Sequence, residues 1–201
     1  MTAMKLYITH PSPFARKCRI VAREKGLIER IEEIAVDPYA NAPELLASNP
    51  IVQVPTLIAE DGLPISDSPV ICEYLDALGS GQRLLPPEGP ERLRVRRMET
   101  QANAALEMGV KLVLEMRRPE QERSPSWIAR WTENMGRALD ALEAAHPDAA
   151  RLDIGVITAG VAVAWIGFRH PTYDWRAGRP QLAAFHALIE ERSSFSETRP
   201  G

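Results

Sequence analysis

The chain has 201 residues, 45% of them hydrophobic and 25% charged, the balance of a soluble globular protein of one or two domains and not of a disordered tail or a fibre. Its net charge of −3 supplies no overall basic field, and no basic stripe of useful length is present, so nucleic acid is not an expected partner. The longest charge-free apolar run, residues 154–168, makes about 22 Å of helix against the ~30 Å of a hydrocarbon core, so no membrane span is expected.

The opening MTAMKLYITHPSPF lacks a basic segment followed by a long apolar one, and Met4 is as good a start as Met1. A cytoplasmic protein without a secretory signal is expected. Lys5 to Thr9 reads as a short strand. Ser12-Pro13 then opens a helix with Phe14, Cys18, Val21 and Ala22 on its apolar face, ended by Gly26. Ile31 to Val36 reads as a second strand and Ala42 to Ser48 as a short helix. Val54 to Ala59, with Pro55 inside it, reads as a third strand, and Glu60-Asp61-Gly62 turns it into Leu63 to Ser66. Ser68-Pro69 starts another helix, with Val70, Ile71, Tyr74, Leu75 and Leu78 on one side. The order is βαβ followed by ββα.

Residues 79–90 hold Gly79, Gly81, Gly89, Pro86, Pro87 and Pro90, a composition that neither helix nor strand tolerates, so a domain boundary is placed there. Beyond it no strand signal remains. Glu91 to Arg117 and Ser126 to His146 are long and amphipathic, the latter with Trp127, Trp131, Met135, Leu139 and Leu142 as a stripe. Residues 154–168 are apolar on every side, the mark of a helix buried in a bundle, and Gln181 to Glu191 is a final short helix. All four tryptophans lie in this half.

Three segments carry candidate chemistry. A serine N-cap at Ser12 with proline after it leaves backbone N–H groups facing outward at the positive end of a helix dipole, where an anion such as a thiolate gains stability. Arg16, Lys17 and Arg19 add positive charge nearby. Read alone, Ser12 is equally a residue that caps its own helix. Pro55 after Val54 suits an edge strand or a cis bond, and a cis bond would turn the N–H and C=O of Val54 outward to pair with an extended peptide; a trans proline opening a strand fits the same residues. Ser66-Asp67-Ser68-Pro69 repeats the Ser-Pro opening beside a carboxylate, so the hydroxyl and N–H groups suit a ligand's carboxylate and Asp67 its ammonium, while an ordinary helix start also explains it. Cys18 and Cys72 fall in no CxxC and have no His at metal spacing, which argues against zinc and against a dithiol redox centre; no metal is expected, and cytosolic thiols stay reduced.

Taken in order, SPFARK, EKG, NP, VP, DSP and, after the linker, LRVRRME resemble the glutathione S-transferase family over nearly the whole chain, most of all its bacterial YibF-like subgroup. The resemblance implies an α/β thioredoxin-like glutathione-binding domain over residues 1–80 and an all-α C-terminal helical bundle over residues 91–201. It implies that Ser12 donates a hydrogen bond to the sulfur of glutathione, the co-substrate, with Phe14 beside it in the same motif. Val54, before Pro55, matches the main chain that pairs with the cysteinyl unit. Asp67 and Ser68 match the holders of the γ-glutamyl end, with Gln53 adjoining. Tyr7, Thr9 and His10 compete with Ser12 less well: Tyr7 lies inside the strand, and His10 suits a loop in water. Cys18, on the apolar face, reads as packing.

The activity so implied is conjugation of the glutathione thiolate to a hydrophobic electrophilic small molecule by a cytoplasmic homodimer with a detoxifying role. Met98, Met108, Leu112 and Met116 would offer apolar surface to that molecule or fill the bundle core, and Arg117 and Arg118 would attract an acidic one or suit the helix dipole. Family members open the buried helix with a Ser/Thr cap and an Asp three residues on; here Asp153 can cap but Val156 holds the later position. Alternative readings on the same fold are a catalytically weak glutathione-binding or partner-binding stress protein and a glutathione-dependent isomerase or reductase, the reductase disfavoured by serine in place of cysteine at position 12.

Overall fold

The computed structural model describes residues 3–200. Met1 and Thr2, which begin the opening segment and the expected first domain, and Gly201, which ends the expected second, lie outside the described residues. Two compact units are present, one of residues up to Leu85 together with those from Ser193 onward, the other Pro86–Arg192.

In the first unit β1 (Met4–Ile8), α1 (Pro13–Glu24) and β2 (Ile31–Ala35) form the βαβ part. The remainder is α2 (Pro43–Ser48), β3 (Thr56–Ile58), β4 (Pro64–Ser66) and α3 (Ser68–Leu78). The sheet order is β2-β1-β3-β4, with β1 parallel to β2 and the other neighbours antiparallel. This mixed four-stranded sheet with its helices is the thioredoxin-like arrangement expected. β3 is shorter than Val54 to Ala59 because Pro55 has no N–H to give a ladder.

The buried side of α3 is Ile71, Cys72, Leu75 and Asp76, rotated from the predicted face, and Val70 points outward. The reason is Asp76. Its carboxylate accepts from the N–H groups of Leu84 at 2.9 Å and Leu85 at 3.1 Å and pairs with the buried Lys25 ammonium at 3.1 Å. A buried charge needs such partners, so the polar residue turns inward. The segment from Ser193 onward was expected to close the helical domain; it contains α8 (Ser193–Ser196), and it packs on α1. Arg16 donates to the Phe195 carbonyl at 3.0 Å and stacks over the Phe195 ring, and Glu24 accepts from Ser194 Oγ at 2.5 Å.

The second unit is helical: α4 (Gly89–Met116), α5 (Pro125–Ala145), α6 (Ile154–Arg169) and α7 (Pro180–Ile189). Twelve of the sixteen residues of α6 are buried, which is why it reads as apolar all round. A Cβ on Gly155 would come within 2.7 Å of the Val95 carbonyl, so glycine there permits the close crossing of α6 on α4. Asp153 caps α6 by accepting from Val156 N–H at 2.8 Å and also receives Arg94 at 2.8 Å, so both carboxylate oxygens are engaged although Val156 offers no reciprocal acceptor. The predicted α5 stripe is buried only from Met135 on. Trp127 is exposed and stacks on Trp131, with ring centres 5.5 Å apart. No described helix is long and apolar enough to cross a membrane.

Candidate functional site

The strand register of the first unit decides which residues meet. Tyr7 of β1 pairs with Thr56 of β3, and Thr56 pairs with Ser66 of β4. β1 leaves this row toward Thr9 and Ser12, β3 enters it from Val54-Pro55, and β4 leaves it toward Asp67-Ser68. Antiparallel pairing therefore gathers all three candidate segments at one end of the sheet, although Ser12 and Ser68 lie far apart in sequence.

Ser12 is the N-cap of α1, with extended φ and ψ of −75° and 120°, and its Oγ accepts from the Ala15 N–H at 3.2 Å. Its own N–H is taken by the Thr9 carbonyl at 3.1 Å, and its carbonyl receives Arg16 N–H at 3.0 Å. Pro13 has no N–H, so of the first-turn donors Phe14 N–H is the one left to a ligand, fewer than the several expected. The Ser12 hydroxyl is engaged as an acceptor only, and its proton can be donated. Three of the four cations of α1, Arg16, Lys17 and Arg19, are buried and form no exposed positive rim beside the site. Arg19 pairs with Glu33 at 2.8 Å, and Arg16 is held by the last residues of the chain. Tyr7 is buried in the sheet and His10 is exposed in the turn.

The Val54-Pro55 peptide is cis. Its approach is fixed by two residues that were not singled out from sequence. Buried Asn49 donates to the Gln53 carbonyl at 3.2 Å and to Thr56 Oγ1 at 3.0 Å, and Thr56 Oγ1 donates to the same carbonyl at 2.8 Å. The NP motif contained this signal. The side chain of Gln53 is exposed, Val54 is half-buried and Pro55 is buried.

At α3 the opening differs from that of α1. Asp67, not Ser68, is the N-cap, its carbonyl accepting Ile71 N–H at 3.0 Å, and Ser68 is already in the first turn and buried. Asp67 has φ of 72°, a left-handed value uncommon outside glycine that Asp tolerates better than most. A backbone held so is a feature concentrated at binding sites. Its carboxylate makes no cap bond to its own helix and is exposed.

Cys18 is fully buried, and burial, reinforced by its contact with Cys72, pushes its thiol well above the ordinary value of 9.0, so it is no nucleophile at neutral pH. Of the residues expected near a second substrate, Met98 and Leu112 are buried, Met108 is half-buried, and Met116 is exposed. Arg118 is committed to Glu122 at 3.4 Å and to Glu115 at 3.9 Å. Among the described residues no group of three or more His, Cys, Asp or Glu could hold a metal.

A sheet of this order, with a cis-proline and two helix amino ends at one edge and an all-helical unit following, defines the class of glutathione-transferase-like folds. Residues 11–78 match the family model for the glutathione S-transferase N-terminal domain. The chain is 33% identical to the uncharacterized GST-like protein YibF of Escherichia coli (strain K12), covering 98% of each. It is similar to a glutathione transferase family member of Pseudomonas fluorescens Pf-5 solved with bound glutathione, at 31% identity and a TM-score of 0.95 over 99% of this chain and 100% of that one. A glutathione S-transferase of Methylobacillus flagellatus KT, solved with glutathione bound, follows at 30% identity and a TM-score of 0.90 over the same shares. This chain belongs to the glutathione S-transferase family.

Proposed function

We propose that this protein binds glutathione at the shared sheet end and conjugates its thiolate to a hydrophobic electrophilic small molecule. The observation that carries the reading is the register that brings Ser12, Val54 and Asp67-Ser68 together, and the relatives solved with glutathione bound support it. Serine is too weak an acid and base to remove the thiol proton itself. Its hydroxyl, already accepting from Ala15 N–H, donates to the sulfur and favours the thiolate, with the proton lost to solvent. Phe14 N–H and the α1 dipole act in the same direction. The main chain of Val54 pairs with the cysteinyl unit, with Pro55 and Gln53 alongside. The hydroxyl of Ser68 and the N–H groups of the first turn of α3 receive the γ-glutamyl carboxylate, and Asp67 receives its ammonium. The sulfur lone pair then forms a C–S bond and the leaving group departs with the electron pair.

The site belongs to a cytoplasmic, detoxifying homodimer in this reading. Exposed Leu63 and Val70, beside a groove between β4 and α3 that also holds Ser66 and Glu73, offer apolar surface to a second copy. Calorimetric titration with glutathione, paired with turnover on a panel of electrophiles, tests the proposal. Binding with turnover is expected. Binding without turnover on any electrophile reduces the protein to a glutathione-binding relative, and no binding removes the reading.

A further inference from the structure

Two thiols that the proposed conjugation does not use lie against each other inside the first unit. Cys18 on α1 and Cys72 on α3 have Sγ atoms 3.8 Å apart, and both are completely buried. Their separation of 54 positions conceals the pairing, and the absence of a CxxC motif argued against a dithiol centre. Closing the gap to the ~2.05 Å of a disulfide needs under 2 Å of combined movement, about what side-chain rotation and a slight helix shift supply. Cys18 Sγ has a second neighbour, the Ser68 carbonyl, at 3.8 Å. The thiols therefore join the two helices whose amino ends form the candidate site, and one of them contacts the backbone of a residue proposed to hold ligand. The charged groups that act on Cys18 are Lys17, which favours its thiolate, and Asp67, which opposes it.

We propose that Cys18 and Cys72 are a redox-modification site: a two-electron oxidant of the disulfide or hydroperoxide class closes them into a disulfide that ties α1 to α3 and takes the thiol donor away from Ser68. With glutathione disulfide the balance is complete. One protein thiolate attacks a sulfur of the oxidant and releases one glutathione thiolate. The second protein thiol displaces the other glutathione from the mixed disulfide. Two electrons and two protons leave the protein, and two glutathione thiols are formed. Because both sulfurs are buried, attack needs the first turn of α3 to open, so the reaction takes minutes to hours, not milliseconds. Closure shifts the opening of α3 and weakens glutathione binding. That consequence rests on the proposed function; formation of the disulfide does not.

The test is incubation of the native full-length protein with excess glutathione disulfide under mildly alkaline conditions. Intact mass and alkylatable thiols are read after denaturation without reductant, and glutathione affinity is read by calorimetry once the oxidant has been removed. The wild type is expected to lose about 2 Da and both thiols, and to bind glutathione about threefold or more weakly until reductant restores it. Cys18→Ala and Cys72→Ala should each show no 2-Da loss, and the variant that keeps the attacking cysteine should stop at the mixed disulfide and gain the mass of one glutathionyl group, which reductant removes. Thiols that persist in the native wild type yet oxidise once it is unfolded in urea overturn the proposal, leaving plain core packing. A disulfide with unchanged glutathione affinity overturns the switch. Reduced protein that binds no glutathione overturns the transferase reading, and with it the affinity consequence, while the mass and thiol readout still decides whether the disulfide forms.

Discussion

Replacing Ser12 separates two roles that one hydroxyl combines. Its Oγ accepts the Ala15 N–H at 3.2 Å, so Ser12→Ala removes an N-cap as well as the proposed donor to sulfur. Loss of the cap costs about 1 kcal/mol, whereas glycine at an N-cap costs only a few tenths. For a chain of this length 1 kcal/mol corresponds to about 2–4 °C in Tm. The bond from hydroxyl to thiolate is charge-assisted and worth about 1.5–3 kcal/mol. That is about one to two pKa units on the bound thiol, or about a 10- to 100-fold loss of thiolate and of kcat near neutral pH. Ser12→Ala is thus expected to lose both stability and thiolate, Ser12→Gly to lose thiolate while staying nearly as stable as wild type, and Ser12→Thr to keep both. The assay is thiolate absorbance of bound glutathione titrated against pH, with thermal unfolding run on the same samples. Glutathione affinity should hardly change, because the bond strengthens only as the proton leaves. A glycine variant whose bound thiol titrates as in wild type refutes the reasoning, since the cap explanation alone would then account for Ser12.

Asp67→Asn preserves a residue type that tolerates φ of 72° while removing the charge, and should weaken glutathione binding about tenfold or more with kcat little altered; wild-type affinity by calorimetry would dissolve the proposed clamp. Asp76→Ala strands the buried Lys25 ammonium and two linker N–H groups and should cost about 3–5 kcal/mol, read as a lower urea midpoint that adding Lys25→Met partly restores; a cost below about 1 kcal/mol counts against the assigned role. Burial raises the Cys18 thiol above 9.0, so the folded chain keeps a proton that the unfolded chain releases. Stability from this group is intact below pH 9.0 and falls as pH rises from there toward the folded value, by up to about 1.4 kcal/mol per pH unit. Urea unfolding at several alkaline pH values should show a steeper decline in wild type than in Cys18→Ala, and parallel declines would refute it. His170 is lowered by burial, although its bond to the Gly109 carbonyl at 3.1 Å opposes the shift. Its contribution is present above the usual value of 6.5 and is lost as pH falls through the folded one, so His170→Gln should flatten the acid limb of unfolding; an unchanged limb contradicts this.

Local chemistry made much of this fold readable. Ser12-Pro13 and Gly26 bracket α1, the Glu60-Asp61-Gly62 turn fixes the β3–β4 hairpin, and the uninterrupted apolar run of α6 announces a helix buried on all sides. What stayed hidden depends on partners distant in sequence. Val70 seemed to belong to the core of α3 by spacing alone, but the inward carboxylate of Asp76 and its bonds to Lys25, Leu84 and Leu85 rotate the helix away from it. Arg16, Lys17 and Arg19 looked like a positive rim, yet Glu33 and the final residues of the chain draw Arg19 and Arg16 inward. The position of Ser193 onward on α1 carries no local signal at all. Asn49 was visible only as part of a motif, because its work is to hold the Gln53 carbonyl four residues on. The contact of Cys18 with Cys72 required the register of α1 on α3.

The most direct measurement is a crystal structure of the protein with glutathione. It should place the sulfur within hydrogen-bonding distance of Ser12 Oγ, the cysteinyl main chain paired with Val54 and the γ-glutamyl group on Ser68 and Asp67. Glutathione bound elsewhere, or this sheet end filled by the protein's own side chains, would contradict the account.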